Sequence, residues 1–112
     1  MRKNPSTHVR VWEFRVQPRC RKTFERIYGP KGDWAQLFKN GKGYLGTELF
    51  RDAETPGRYL TVDYWKSKSN YETFRREFDR EFRILDKNCE SLTTRETSVG
   101  SFSSASSAGF KE

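Results

Sequence analysis

Val9 to Val16 reads VRVWEFRV, with Val9 and Val11 on one side of an extended chain and Trp12, Phe14 and Val16 on the other. A period of two in β-forming residues predicts a strand. Pro18 suits a first helical position, and Cys20, Phe24, Ile27 and Tyr28 follow at helical spacing until Gly29-Pro30 stops the run. Asp33 with Gln36 has the pattern of a capping box opening a short helix over Trp34-Ala35-Gln36-Leu37-Phe38, with Gly41 as its left-handed terminator. Two strand-like runs follow, YLGTELFR (Tyr44 to Arg51) and RYLTVDYW (Arg58 to Trp65). The intervening Asp52-Ala53-Glu54-Thr55-Pro56-Gly57 is turn chemistry, so they are expected to form a hairpin. Ser69 and Glu72 then form a second capping box, and Tyr71, Phe74, Phe78, Phe82 and Leu85 line one face of a long helix. Leu92 to Val99 (LTTRETSV) has strand composition with little apolar alternation, which suits an edge.

The order βα(α)ββαβ predicts an α+β, ferredoxin-like fold: a four-stranded antiparallel sheet with its helices on one face. The strands are nevertheless apolar on both sides. Val9 and Val11 oppose Trp12 and Phe14, while Leu60, Val62 and Tyr64 oppose Tyr59 and Trp65. One chain of this length has no second layer for the uncovered side, so a homodimer pairing sheet against sheet is expected.

The 112 residues suit one domain, and a hydrophobic content of 33% is offset by 15% aromatic residues, each of which buries a large area. The net charge of +7 is local. Residues 1–32 carry nine Lys or Arg against Glu13 and Glu25, whereas the later residues balance, which reads as a solubilising surface or a face for an anionic ligand. Cys20 and Cys89 are far apart, no apolar h-region opens the chain and no run is long enough to span a membrane; a cytoplasmic protein with free thiols and no membrane partner is expected. His8, the single histidine, is placed near a mobile N-terminus, leaving little material for a histidine metal site or Ser-His and Cys-His catalysis. No metal and no cofactor are expected. Residues 1–6 and the Ser-rich stretch 103–112 are expected to be disordered around a domain over 7–102.

The stretch GYLGTELFRD, then RYLTVDYWKS ending its strand on Trp65, then the capped aromatic helix resemble the antibiotic biosynthesis monooxygenase domain of the dimeric α/β-barrel superfamily. The resemblance spans roughly Thr7 to Phe102. It implies an aromatic-lined pocket in each subunit of a homodimer and, in the quinone-forming members, oxidation of a phenol without a cofactor. That family's recurrent Trp falls on Trp65, and the Tyr that helps hold the substrate falls on Tyr71. Its Asn partner is replaced by Thr61, which can still hydrogen-bond but lacks the amide. The iron-binding His of haem-degrading members falls on Arg75, with Arg76 beside it, and their first-strand Asn falls near Phe14, so haem chemistry is not implied.

Strand periodicity puts Thr61, Asp63 and Trp65 on one face, where the following helix can fold Tyr71 and Phe74 over them. Trp65, Tyr71 and Asp63 are the candidate catalytic residues. Asp63 would act as a base if its carboxylate lies in an apolar cleft; an exposed or Arg-paired Asp is the plainer alternative. Trp65 is read equally as a fixed corner of the core, and Tyr71 as part of the helix stripe. Thr61, Phe14, Trp34, Phe38, Phe74 and Arg75 are candidate contacts for a small aromatic molecule, with Trp34 and Phe38 as lids or core and Arg75 as an anion anchor or a solvated side chain. A non-catalytic small-molecule sensor with the same cavity is the alternative function. An RNA-binding reading rests on Lys42-Gly43-Tyr44, which opens like an RNP1 motif, but Leu45 and the strand position depart from it, so nucleic acid is not the expected partner.

Overall fold

In the computed structural model, which describes residues 7–105, the alternating opening stretch forms β1 (His8–Val16). A single 3-10 turn at Pro18–Cys20, with Pro at its first position, leads into α1 (Arg21–Tyr28) and then α2 (Asp33–Phe38). The hairpin β2 (Tyr44–Arg51) and β3 (Arg58–Trp65) follows, then α3 (Lys68–Glu77), α4 (Asp79–Asn88), a 3-10 turn at Glu90–Leu92 and β4 (Thr93–Ser103). The strands lie antiparallel in the order β2-β3-β1-β4, which is the expected α+β ferredoxin-like arrangement.

The hairpin is tied at its turn by side-chain chemistry. Asp52 Oδ1 accepts from the backbone N–H of Glu54 at 2.8 Å and of Thr55 at 3.0 Å, and these bonds with the Arg58 guanidinium hold its carboxyl at about 2. The register places Arg10 opposite Asp63, Trp12 opposite Thr61 and Phe14 opposite Tyr59. Direct partners share a face, so the even-numbered positions of β1 meet Tyr59, Thr61, Asp63 and Trp65 beneath the helices. Aromatic rings fill this layer: Phe14 and Tyr59 pack on Phe24 at 5.3 and 4.8 Å between ring centres, and Phe24 stacks on Tyr28 at 4.2 Å. On the opposite face Val9, Val11, Leu60, Val62 and Tyr64 are half-buried, and Phe50 and Phe102 are each 48% exposed.

Local details depart from expectation in ways packing explains. Helix α3 is capped by Ser67, whose Oγ accepts from the Asn70 N–H at 3.1 Å, rather than by Ser69. Asp33 is the first helical residue of α2, and Gly32 ahead of it makes no side-chain cap, so the Asp33–Gln36 box does not form. Gly41 is not left-handed; it is needed because a β-carbon there would lie 2.9 Å from both the Phe74 and Trp65 rings. The single long helix is two, broken at Phe78 (φ −116°, ψ 28°). With that bend Phe78 stacks on Phe74 while Phe82, in α4, meets Trp34 edge-on at 4.9 Å. Strand β4 runs on through Gly100 to Ser103 rather than ending at Val99, because it pairs with the full length of β1 from Val16 to His8. His8 likewise stands inside β1 and is buried, not on a mobile terminus. Residues 1–6 and 106–112, within the segments expected to be disordered, lie outside the described residues. No helix among the described residues is long and apolar enough to cross a membrane.

Candidate active site

The strand-to-helix corner after β3 is closed by Trp65, which has no exposed surface. Its indole sits 5.2 to 5.9 Å from the rings of Tyr44, Phe74, Tyr71 and Phe38. The backbone N–H of Lys66 donates to the Gly43 carbonyl at 2.8 Å, tying the corner to the start of β2. Beside this corner the helices and the sheet enclose a cavity of about 200 Å³. From the sheet, Arg10, Trp12 and Phe14 of β1, Thr61 and Asp63 of β3, Thr47 of β2 and Glu96 of β4 line it. From the helical layer come Tyr28, Trp34, Phe38 and Tyr71, with Phe82 and Asp86 of α4. Trp65 and Phe74 lie behind this lining, where they support Phe38 and Tyr71.

Asp63 is 8% exposed and faces the cavity. Its Oδ1 accepts from the Thr47 hydroxyl at 2.7 Å, and the Thr47 oxygen lies 2.6 Å from the Tyr44 hydroxyl. Burial pushes the Asp63 carboxyl up to about 6, against the opposing pull of the Thr47 hydrogen bond and the Arg10 charge. Such a group is ionised at neutral pH yet basic enough to take a proton from a phenol. The Arg10 guanidinium lies 4.1 Å over the Tyr71 ring and donates to Ser101 Oγ at 3.0 Å. Burial raises the Tyr71 hydroxyl above its ordinary value, with Arg10 and Arg75 acting in the opposite direction. Burial is thus the first cause of the rise in both groups.

Of the residues singled out from sequence, Asp63, Tyr71, Thr61, Phe14, Trp34 and Phe38 therefore meet at one cavity. Trp65 and Phe74 form its support. Arg75 does not line it: its guanidinium covers the Phe82 ring at 3.8 Å and reaches Asp79 at 3.4 Å. Arg10, Thr47, Trp12, Tyr28 and Phe82 join the site without having been singled out. The signal for Arg10 was its even position in β1, on the face of Trp12 and Phe14; Thr47 had none until the strand order put it beside Asp63. Tyr44, the aromatic of the RNP1-like triplet, is turned inward against Trp65 and Phe38 and offers no stacking platform. Among the described residues no three His, Cys, Asp or Glu side chains cluster as metal ligands.

The sequence profile described as antibiotic biosynthesis monooxygenase matches residues 7–79, well over half of the chain. The chain belongs to this family. Solved structures agree with it at the level of the fold. A variant of SnoaB, a cofactor-independent oxygenase from Streptomyces nogalater, superposes with a TM-score of 0.67 at 16% identity, over 89% of this chain and 94% of that one. An antibiotic biosynthesis monooxygenase candidate from Deinococcus radiodurans gives 0.72 at 12% identity, over 94% and 99%. PA3566 from Pseudomonas aeruginosa gives 0.64 at 12%, over 90% and 96%. No curated protein matches the chain. Identities this low carry the fold of the family and leave the chemistry to the site.

Proposed function

We propose that this family member is a cofactor-independent monooxygenase acting on a hydroxylated one- to three-ring aromatic compound. The observation that supports this most is Asp63, a buried carboxylate poised near neutrality that opens into a cavity walled by Trp12, Phe14, Tyr28, Trp34 and Phe38. In this reading Asp63 removes the phenolic proton, and the Tyr71 hydroxyl donates to the oxygen that gains charge. The electron-rich ring carbon then reduces O₂ directly, forms a C–O bond, and loses water to give the quinone. A naphthol serves as the example: naphthol plus O₂ gives naphthoquinone plus water, so the substrate supplies all four electrons and no external reductant is needed. Trp65 acts as a positioning residue, since it touches Phe38 and Tyr71 rather than the cavity. A cavity of about 200 Å³ is little larger than the roughly 150 Å³ that takes a benzene, which favours one or two enclosed rings with any third at the mouth.

Oxygen consumption and absorbance change with a panel of naphthols, hydroquinones and anthrones test the reading. Turnover should fall at least about 100-fold in Asp63→Asn, the scale of a lost general base, and in the parent it should rise with pH through about 6 as Asp63 ionises. If no compound is oxidised while several raise the melting temperature, the chain is a binding or sensing domain. Thr61 in place of an amide favours that second reading. The apolar, uncovered sheet face supports a homodimer through that face.

A further inference from the structure

Among the described residues that line the cavity, Arg10 is the single cation, and it is not placed there by an ion pair of its own. Its guanidinium is held by the Tyr71 ring beneath it and by Ser101 Oγ, two neutral partners that orient it without cancelling its charge. The carboxylate opposite, Asp63, stands on the paired position of the next strand and spends one oxygen on Thr47. We propose that Arg10 is the specificity residue of the cavity, selecting a ligand that enters as a neutral phenol and holding it as the phenolate.

With Asp63 as the base proposed above, charge is conserved within the site. When the ligand O–H bond breaks and an O–H bond forms on Asp63, no electrons change hands and the site keeps the same net charge. The negative charge moves from Asp63 to the ligand oxygen, within reach of one guanidinium throughout. Arg10 already favours the Asp63 carboxylate, so it lowers the cost of that transfer to the extent that its charge lies nearer the ligand oxygen than Asp63. Besides Asp63, Arg10 acts on His8 and Tyr71; Lys68 and Glu72 act in turn on His8, and Arg75 on Tyr71. His8 is held below its ordinary value by burial, Arg10 and Lys68, and Tyr71 is held above its own by burial. The far end of the cavity carries Asp86 and Glu96, both exposed. These carboxylates stand where the cavity meets solvent, and they disfavour a ligand that arrives already anionic. Aromatic carboxylates, which a half-buried arginine would otherwise pair with, are thereby selected against, and Asp63 repels them again inside.

The test uses 4-nitrophenol, whose phenolate absorbs in the visible range, and 4-nitrobenzoate as a carboxylate of similar size. Neither readout requires oxygen turnover. Bound to the parent protein, 4-nitrophenol should ionise at lower pH than it does free in solution. Arg10→Gln should raise that pH by at least about one unit, a tenfold change in the ionisation equilibrium, and Arg10→Lys should restore most of the difference. The parent should bind 4-nitrobenzoate more weakly than 4-nitrophenol. The proposal is overturned if the parent leaves the ionisation of bound nitrophenol where it is in solution, if a folded Arg10→Gln behaves as the parent, or if nitrobenzoate binds more tightly. The parent measurements decide even where Arg10→Gln does not fold. A phenolate shift without oxidation of any panel compound would retire the monooxygenase reading and leave the role of Arg10 standing.

Discussion

Asp63 carries a cost that can be measured apart from any activity. Its carboxyl is raised from 3.8 to about 6 in the folded chain, so between those values the native state binds more protons than the unfolded one. Stability then falls as pH rises through that window. Near pH 3, below both values, both states hold the proton and the burial is harmless; well above pH 6 the full penalty is present, about 3 kcal/mol at 1.36 kcal/mol per unit. Asp63→Asn keeps an acceptor for Thr47 and removes the titration. The variant should match the parent in urea denaturation near pH 3 and exceed it by about 3 kcal/mol at pH 7.5. A gap of the same size at both pH values would mean that Asp63 does not titrate in this range. A residue that weakens the fold where it is ionised, and is kept in a cavity, is a functional candidate on physical grounds.

At the scale of elements, the corner that supports the cavity depends on close approach. Gly41 brings the turn after α2 against the edges of Trp65 and Phe74, which are 0% and 1% exposed. Gly41→Ala adds a methyl group where neither ring has room to withdraw, and overpacking of this kind costs about 1–3 kcal/mol. For a domain of this size that is a loss of several degrees in Tm, while Lys42→Ala, at an exposed neighbour, should stay within about 0.5 kcal/mol of the parent. An unchanged Tm for Gly41→Ala would show that the two rings yield. Much of this architecture was legible in the sequence, because each strand and helix announces its buried face through its own period. What was not legible came from contacts between elements. Ser67 rather than Ser69 caps α3 because Lys66 is still bound to Gly43, which makes Ser67 the first residue free to leave the sheet. The bend at Phe78 has no Gly or Pro to signal it and follows from the separate engagements of Phe74 and Phe82. Thr47 became a site residue only when the order β2-β3-β1 set it and Arg10 on either side of Asp63; Arg10 had its even position in β1 as a local signal, but no local pattern contains a strand's neighbours.

The whole molecule leaves one question to its uncovered sheet face. Every residue pair there is set by the same registers that build the cavity: Val9 with Tyr64 and Phe102, Val11 with Val62 and Gly100, Glu13 with Leu60. The centre of β1 and β3 on this face is aliphatic and its rim carries Phe50 and Phe102; Glu13 pairs with Arg58 at 2.7 Å and with Arg15 at 3.3 Å at one end, and Glu48, opposite Val62 on β2, accepts from the Tyr64 hydroxyl. That is the distribution of an interface with an apolar middle and a polar edge, and a twofold copy of the same face is its simplest complement. Sedimentation at micromolar concentration should give twice the 13.3 kDa of the chain. Val62→Lys, which puts a charge at the middle of the face, should give the single chain without loss of the helical signal. The consequence reaches the site, because Val11 and Val62 are the next cross-strand pair along from Arg10 and Asp63, turned to the other face. A face pressed against its partner fixes the strands that hold Arg10 opposite Asp63, so the monomeric variant should bind 4-nitrophenol several-fold more weakly than the dimer. Val62→Lys chains that remain paired, or a parent that sediments as one chain, would refute this assignment of the face.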